Sequence, residues 1–87
     1  MPQRNAVSTR QQNERKFPHW IDLPDGGRRY WLEVAGHRGW WARYVKEVDA
    51  QEQTTAFYQE IYDEAERLVE IHHKFPTDTG HRKTRQE

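Results

Sequence analysis

At 87 residues, with 32% charged side chains, no cysteine and a formal net charge of zero, the chain has room for one small domain. The absence of cysteine excludes disulfides and cysteine-held metals, and no apolar run approaches the roughly 20 residues that a membrane helix needs. The N-terminus lacks the apolar centre of a signal peptide, so the expectation is a soluble, cytoplasmic protein without membrane contact.

The zero net charge conceals a separation. Between residues 28 and 46 five basic residues face one acid, Glu33, and between residues 47 and 70 eight acids face one base, Arg67. A chain divided in this way either neutralises itself within the fold or between subunits, or offers its basic part to an anionic partner.

In chain order, residues 1–16 hold only Met1, Ala6 and Val7 as apolar side chains and read as a disordered polar tail. The domain proper spans 17–76. It opens with three antiparallel strands, roughly 17–23, 28–35 and 40–48, separated by the turn signals Pro24-Asp25-Gly26-Gly27 and Gly36-His37-Arg38-Gly39. Alternation assigns Phe17, His19, Ile21, Leu23, Tyr30, Leu32, Val34, Trp40, Ala42, Tyr44 and Val48 to one face. Trp20, Asp22, Arg29, Trp31, Glu33, Trp41, Arg43, Val45 and Glu47 fall on the other.

Asp49-Ala50-Gln51-Glu52 then reads as a capping box. It would open a helix running to residue 75, stopped by Pro76. At 100° per residue, Phe57, Phe75, Leu68, Ile61, His72, Ala65, Tyr58, Val69 and Tyr62 share an arc of about 140°, the pattern of an amphipathic helix. The fold class expected is α+β, a three-stranded antiparallel sheet followed by one long amphipathic helix laid on its more apolar face. The alternative is a five-stranded antiparallel meander. Residues 54–63 and 67–75 are rich in Thr, Phe, Tyr, Ile and Val, and Asp63-Glu64-Ala65-Glu66 suits a hairpin loop. Residues 77–87 have no apolar side chain and read as a second polar tail.

Two surfaces carry candidate chemistry. Trp20, Trp31 and Trp41 come from successive strands and would form a row flanked by Arg29 and Arg43 on the face that the helix leaves open. Such a patch fits a homodimer seam or another protein partner, and flat aromatics interleaved with arginines also suit single-stranded nucleic acid. The second surface lies near the C-terminus, where His72, His73, Asp78 and His81 stand within ten positions, with Lys74 among them. Histidine and aspartate supply a general base and acid for phosphodiester cleavage, with Lys74 as charge stabiliser. The spacing matches no known metal site, and on a helix His72 would face the core, so neither a metal nor a cofactor is expected.

The stretch from Phe57-Tyr58-Gln59-Glu60-Ile61-Tyr62-Asp63 through Ile71-His72-His73-Lys74-Phe75-Pro76-Thr77-Asp78-Thr79-Gly80-His81, about a third of the chain, resembles a family of small uncharacterised prokaryotic proteins. More distantly it is similar to the TumE-type toxins of toxin–antitoxin pairs, which end in sheet elements followed by clustered histidines. The resemblance implies His72, His81, Asp78 and Lys74 as the functional residues of a ribonuclease-like toxin, with an antitoxin as partner. The small family's glycine at the position of Glu66 implies a hairpin there. Two functional readings follow: a non-catalytic binding module acting as a dimer through the aromatic-basic face, and a toxin acting through the histidine cluster.

Overall fold

The computed structural model describes residues 6–76 and 80–83. One helix, α1 (Ala6–Lys16), precedes six strands: β1 (His19–Asp22), β2 (Arg28–Ala35), β3 (Trp41–Val48), β4 (Thr54–Tyr62), β5 (Leu68–Phe75) and β6 (Gly80–Lys83). The strands form one antiparallel sheet in chain order, so each pairs with its neighbours in sequence. This is the meander of the alternative reading, lengthened by a short sixth strand. The long C-terminal helix and the three-stranded sheet are both overturned.

The helical arc has a physical origin in two β-bulges between β4 and β5. Leu68 pairs with Tyr62 and Ile71 with Glu60, so Val69 is the extra residue and Leu68 and Ile71 share a face although three apart. Likewise Phe75 pairs with Phe57 and His72 with Gln59, which leaves Lys74 as the extra residue. Bulges therefore write a three-residue spacing into a strand, and that spacing imitates a helix. Composition decides the matter: β-branched and aromatic residues pack well on a pleated surface and are poor helix formers.

The supposed capping box is a hairpin turn. Asp49 Oδ1 accepts the amides of Gln51 and Gln53 at 2.9 Å each, and the Glu52 amide donates to the Asp49 carbonyl at 2.9 Å. The β4–β5 turn repeats the device, with Asp63 Oδ1 accepting from the amides of Ala65 at 2.9 Å and Arg67 at 3.0 Å. Glu52 and Glu66 take the left-handed position of these turns, with φ of 66° and 64°. Aspartate accepting nearby amides serves a turn as well as a helix start, so the two are alike in sequence.

The segment read as an N-terminal tail carries α1, and 80–83 of the C-terminal segment forms β6; the rest of both segments lies outside the described residues. The helix docks through polar rather than apolar side chains. Arg10, Asn13 and Glu14, spaced to share a helix face, reach Glu52, Lys46 and Arg28 of the sheet. At its end, the Phe17 amide donates to the Asn13 carbonyl, and the Phe17 ring packs with Tyr30 and Val48, with Leu32 and Phe57 alongside. Among the described residues the buried apolar side chains are only Phe17, Tyr30, Val45 and Val48.

The sheet thus has a face partly covered by α1, bearing Tyr30, Val48, Lys46, Phe57 and Phe75, and an open face bearing Trp31, Arg43, Val45, Tyr58 and Trp41. The separated charges largely meet across it: Arg29 with Glu47, Arg43 with Glu60 and Arg10 with Glu52.

Candidate functional site

On the open face the structure brings Arg29, Trp31, Trp41 and Arg43 together, as the alternation of β2 and β3 requires. Trp20 does not join them. It pairs with Tyr30 on the opposite face, meeting that ring edge-on at 5.9 Å, while His19 stacks on Trp31 at 5.5 Å. The predicted row of three tryptophans is therefore not formed. Phe17 is drawn into the core ahead of β1, so the strand begins at His19 in the opposite phase from the one expected, and a one-residue slip exchanges faces.

The centre of this face is a depression of about 290 Å³ with Val45 buried in its floor. Ile21, Trp31, Tyr58, Arg29, Arg43 and Glu60 line it. Beyond it, Trp41 stacks on Tyr62 with centroids 4.3 Å apart and planes within 11°. Arg43 lies 5.4 Å from the Trp41 centroid and 5.5 Å from that of Tyr62. Tyr58, Tyr62 and Ile21 are members that sequence reasoning missed. The signal for Tyr58 and Tyr62 lay in the period-two alternation of residues 56–62, which the helical reading set aside, while Ile21 changed face with the one-residue slip of β1.

Both arginines are neutralised within the face. Arg29 Nε donates to Glu47 Oε2 at 2.8 Å, and that bond raises the Arg29 pKa. Arg43 donates to Glu33 Oε2 at 3.1 Å and stands 3.8 Å from Glu60 Oε1. Burial, reinforced by the charges of Glu47 and Glu60, pushes the Tyr58 hydroxyl up; burial and a hydrogen bond to Glu60 do the same for Tyr62. Both phenols therefore stay neutral well above physiological pH. Among the described residues the face is aromatic, and Arg29 and Arg43 are paired with carboxylates.

The C-terminal candidates are only partly assembled. His72 and His81 are cross-strand partners in the β5–β6 ladder, and His73 pairs with Gly80 one position along, on the other face. Lys74, at the bulge, lines a different cleft beside Phe75, and Asp78 lies outside the described residues. Among the described residues no group of three or more His, Asp or Glu side chains is placed to hold a metal ion, and no helix is long and apolar enough to cross a membrane.

On the covered face, Glu52 is the organising group. Its carboxylate, 2% exposed, accepts from Arg10 Nε at 3.0 Å, from Asn13 Nδ2 at 3.1 Å and from the Tyr30 hydroxyl. Burial works to raise its pKa, but the bonds from Tyr30, Asn13 and Arg10 outweigh it and hold Glu52 below the ordinary carboxylate range. Burial, with Glu52 as neighbour, pushes Tyr30 up to about 12. Arg28 closes the opposite side, bonded to Glu14 at 2.8 Å and Asp22 at 2.9 Å, with its guanidinium 5.2 Å from the Trp20 centroid. This arrangement ties helix to sheet. Comparison with family models, with curated proteins and with solved structures finds no match to this chain.

Proposed function

We propose that the chain is a small non-catalytic binding module that acts as a homodimer through its open sheet face. The observation that carries this reading is the absence of a second layer: among the described residues, no element packs over Trp31, Trp41, Tyr58 and Tyr62. A core of four buried apolar side chains is small for an independent domain, and a second copy would cover what the chain does not. The paired charges suit such a seam, since Arg29–Glu47 and Arg43–Glu33 arrive already neutralised, and the Val45 depression is shaped to receive an apolar side chain. The same pairing weighs against single-stranded nucleic acid on this face, because among the described residues Arg29 and Arg43 are already committed to carboxylates.

Sedimentation of the full chain should give a dimer. Trp31→Glu should weaken self-association by roughly 30-fold or more, the equivalent of about 2 kcal/mol at an interface centre. Ile21→Glu, at an exposed edge position of the same depression, should act in the same direction with less risk to the fold. A wild-type monomer at all concentrations would refute the dimer and leave another protein as the partner.

The toxin reading keeps one specific observation, the cross-strand pairing of His72 with His81. It requires growth inhibition on expression, relief by His81→Ala, and an antitoxin gene beside this one. Expression without growth effect and without RNA turnover would remove it.

A further inference from the structure

The covered face holds a second cleft that the dimer reading does not use. It measures about 350 Å³ and is lined by Lys16, Lys46, Lys74, Phe17, Phe57 and Phe75, with Thr54 at its margin. Three lysines, from α1, β3 and β5, line it together with three phenylalanines. Among the described residues none of the three forms an ion pair. Lys46 Nζ donates to Asn13 Oδ1 at 2.9 Å, and Lys16 Nζ lies 5.8 Å from the Phe17 centroid. The nearest organised carboxylate, Glu52, is already committed to Arg10, Asn13 and Tyr30. On the open face, by contrast, Arg29 and Arg43 are each paired with a carboxylate.

We propose that this cleft binds a nucleoside phosphate, its phosphate held by Lys16, Lys46 and Lys74 and its base lying against the side chains of the cross-strand partners Phe57 and Phe75. Charge complementarity argues for the phosphate: three lysines line one cleft, none of them in an ion pair among the described residues, and a dianion relieves their mutual repulsion. Burial and the nearby charge of Lys16 both lower the Lys46 pKa, with Glu52 opposing, so an anion in the cleft would favour the charged form. The rings argue for the base. Phe57 and Phe75 are cross-strand partners, and Phe75 is 43% exposed, an apolar face that an aromatic base can cover by stacking. The volume lies at the lower end of the roughly 300–1,000 Å³ common for small-ligand sites, which suits one nucleotide rather than a dinucleotide.

The test is a titration of isotope-labelled full-length protein with AMP, adenosine and inorganic phosphate, followed by NMR. AMP should bind saturably, with amide shifts centred on residues 16–17, 46, 54, 57 and 74–75. Inorganic phosphate should bind the same residues more weakly, and adenosine should not bind measurably. Lys46→Met and Lys16→Glu should each weaken AMP by roughly tenfold or more, the scale of one charge-assisted contact. Lys16 is exposed at the helix end, so its variant reports even if Lys46→Met disturbs packing. Phe75→Ala should weaken AMP while leaving inorganic phosphate unchanged. A 5′-phosphorylated trinucleotide distinguishes the sources: tighter binding than AMP assigns the cleft to a strand end, and weaker binding assigns it to free nucleotide. No saturable AMP binding, equal binding of adenosine, or shifts centred on the open face would overturn the proposal. Sedimentation of the same samples reports the dimer separately, so either idea can fail alone.

Discussion

The two faces of this sheet draw on the same residue types, aromatics with basic side chains among them, yet they stand in opposite electrostatic states. On the open face Arg29 and Arg43 are pinned to Glu47, Glu33 and Glu60. On the covered face Lys16, Lys46 and Lys74 gather around phenylalanines without a carboxylate, although Glu52 lies close by with its oxygens fully engaged. A basic-aromatic pattern in sequence thus carries little information about anion binding until the acids are placed. Whether a cation is spent inside the fold or left over decides what its surface can do.

Breaking the covered face at its centre should have the largest effect. Glu52→Gln removes the buried charged acceptor of Tyr30, Asn13 and Arg10, while Arg10, being 39% exposed, keeps its water; the change should cost about 2 kcal/mol. In a domain of this size that lowers Tm by roughly 8 °C or more in a thermal melt. The sign with pH follows from the lowered folded-state pKa. The Glu52 contribution is full above its ordinary value near 4.5 and is lost as pH falls through the lower folded value. Wild type should therefore lose stability in that acidic window, and the variant's acid limb should be flatter.

Next in size is the response to anions. At ten times its dissociation constant, phosphate should stabilise wild type by about 1.4 kcal/mol over chloride at equal ionic strength. Lys46→Met should cut the difference to about 0.4 kcal/mol or less, and the double change Arg29→Gln with Arg43→Gln should preserve it. Loss in the double variant instead would reverse the comparison. That double variant should itself cost only about 1 kcal/mol of stability by denaturant titration, since its ion pairs are partly exposed.

The smallest effect separates two turns of the same build. Glu66→Gly relieves a left-handed residue whose side chain is exposed and should stabilise by about 0.5 kcal/mol in urea. The same change at Glu52 removes the carboxylate that anchors α1 and should destabilise instead.

Much of the sheet was legible in the sequence. The expected β2 and β3 agree with the structure to within a residue, and the alternation within them placed Arg29, Trp31, Trp41 and Arg43 on one face. What misled was local chemistry with two uses. An aspartate accepting amides caps a helix or closes a hairpin, and a bulge at Val69 or Lys74 turns a period of two into a spacing of three. The helix α1 was hidden for another reason: its docking residues, Arg10, Asn13 and Glu14, are polar, so no apolar stripe announced it. Its one apolar anchor, Phe17, read as the start of a strand. The lysine cleft was invisible because Lys16, Lys46 and Lys74 are distant in sequence and meet only through the register of β3, β4 and β5.

A meander in strict chain order also sets how the molecule assembles in time. Each hairpin closes a short loop, so chain entropy is surrendered in small steps and pairing can spread outward from any turn that forms first. The clasp of α1 is different in kind. Its bonds to Glu52 span 42 and 39 residues, and Glu52 is presented only once the β3–β4 turn is made. Docking of the helix is therefore a late event, and the N-terminal segment should be the first to exchange its amide hydrogens and the first to be cut by a protease while the sheet still stands.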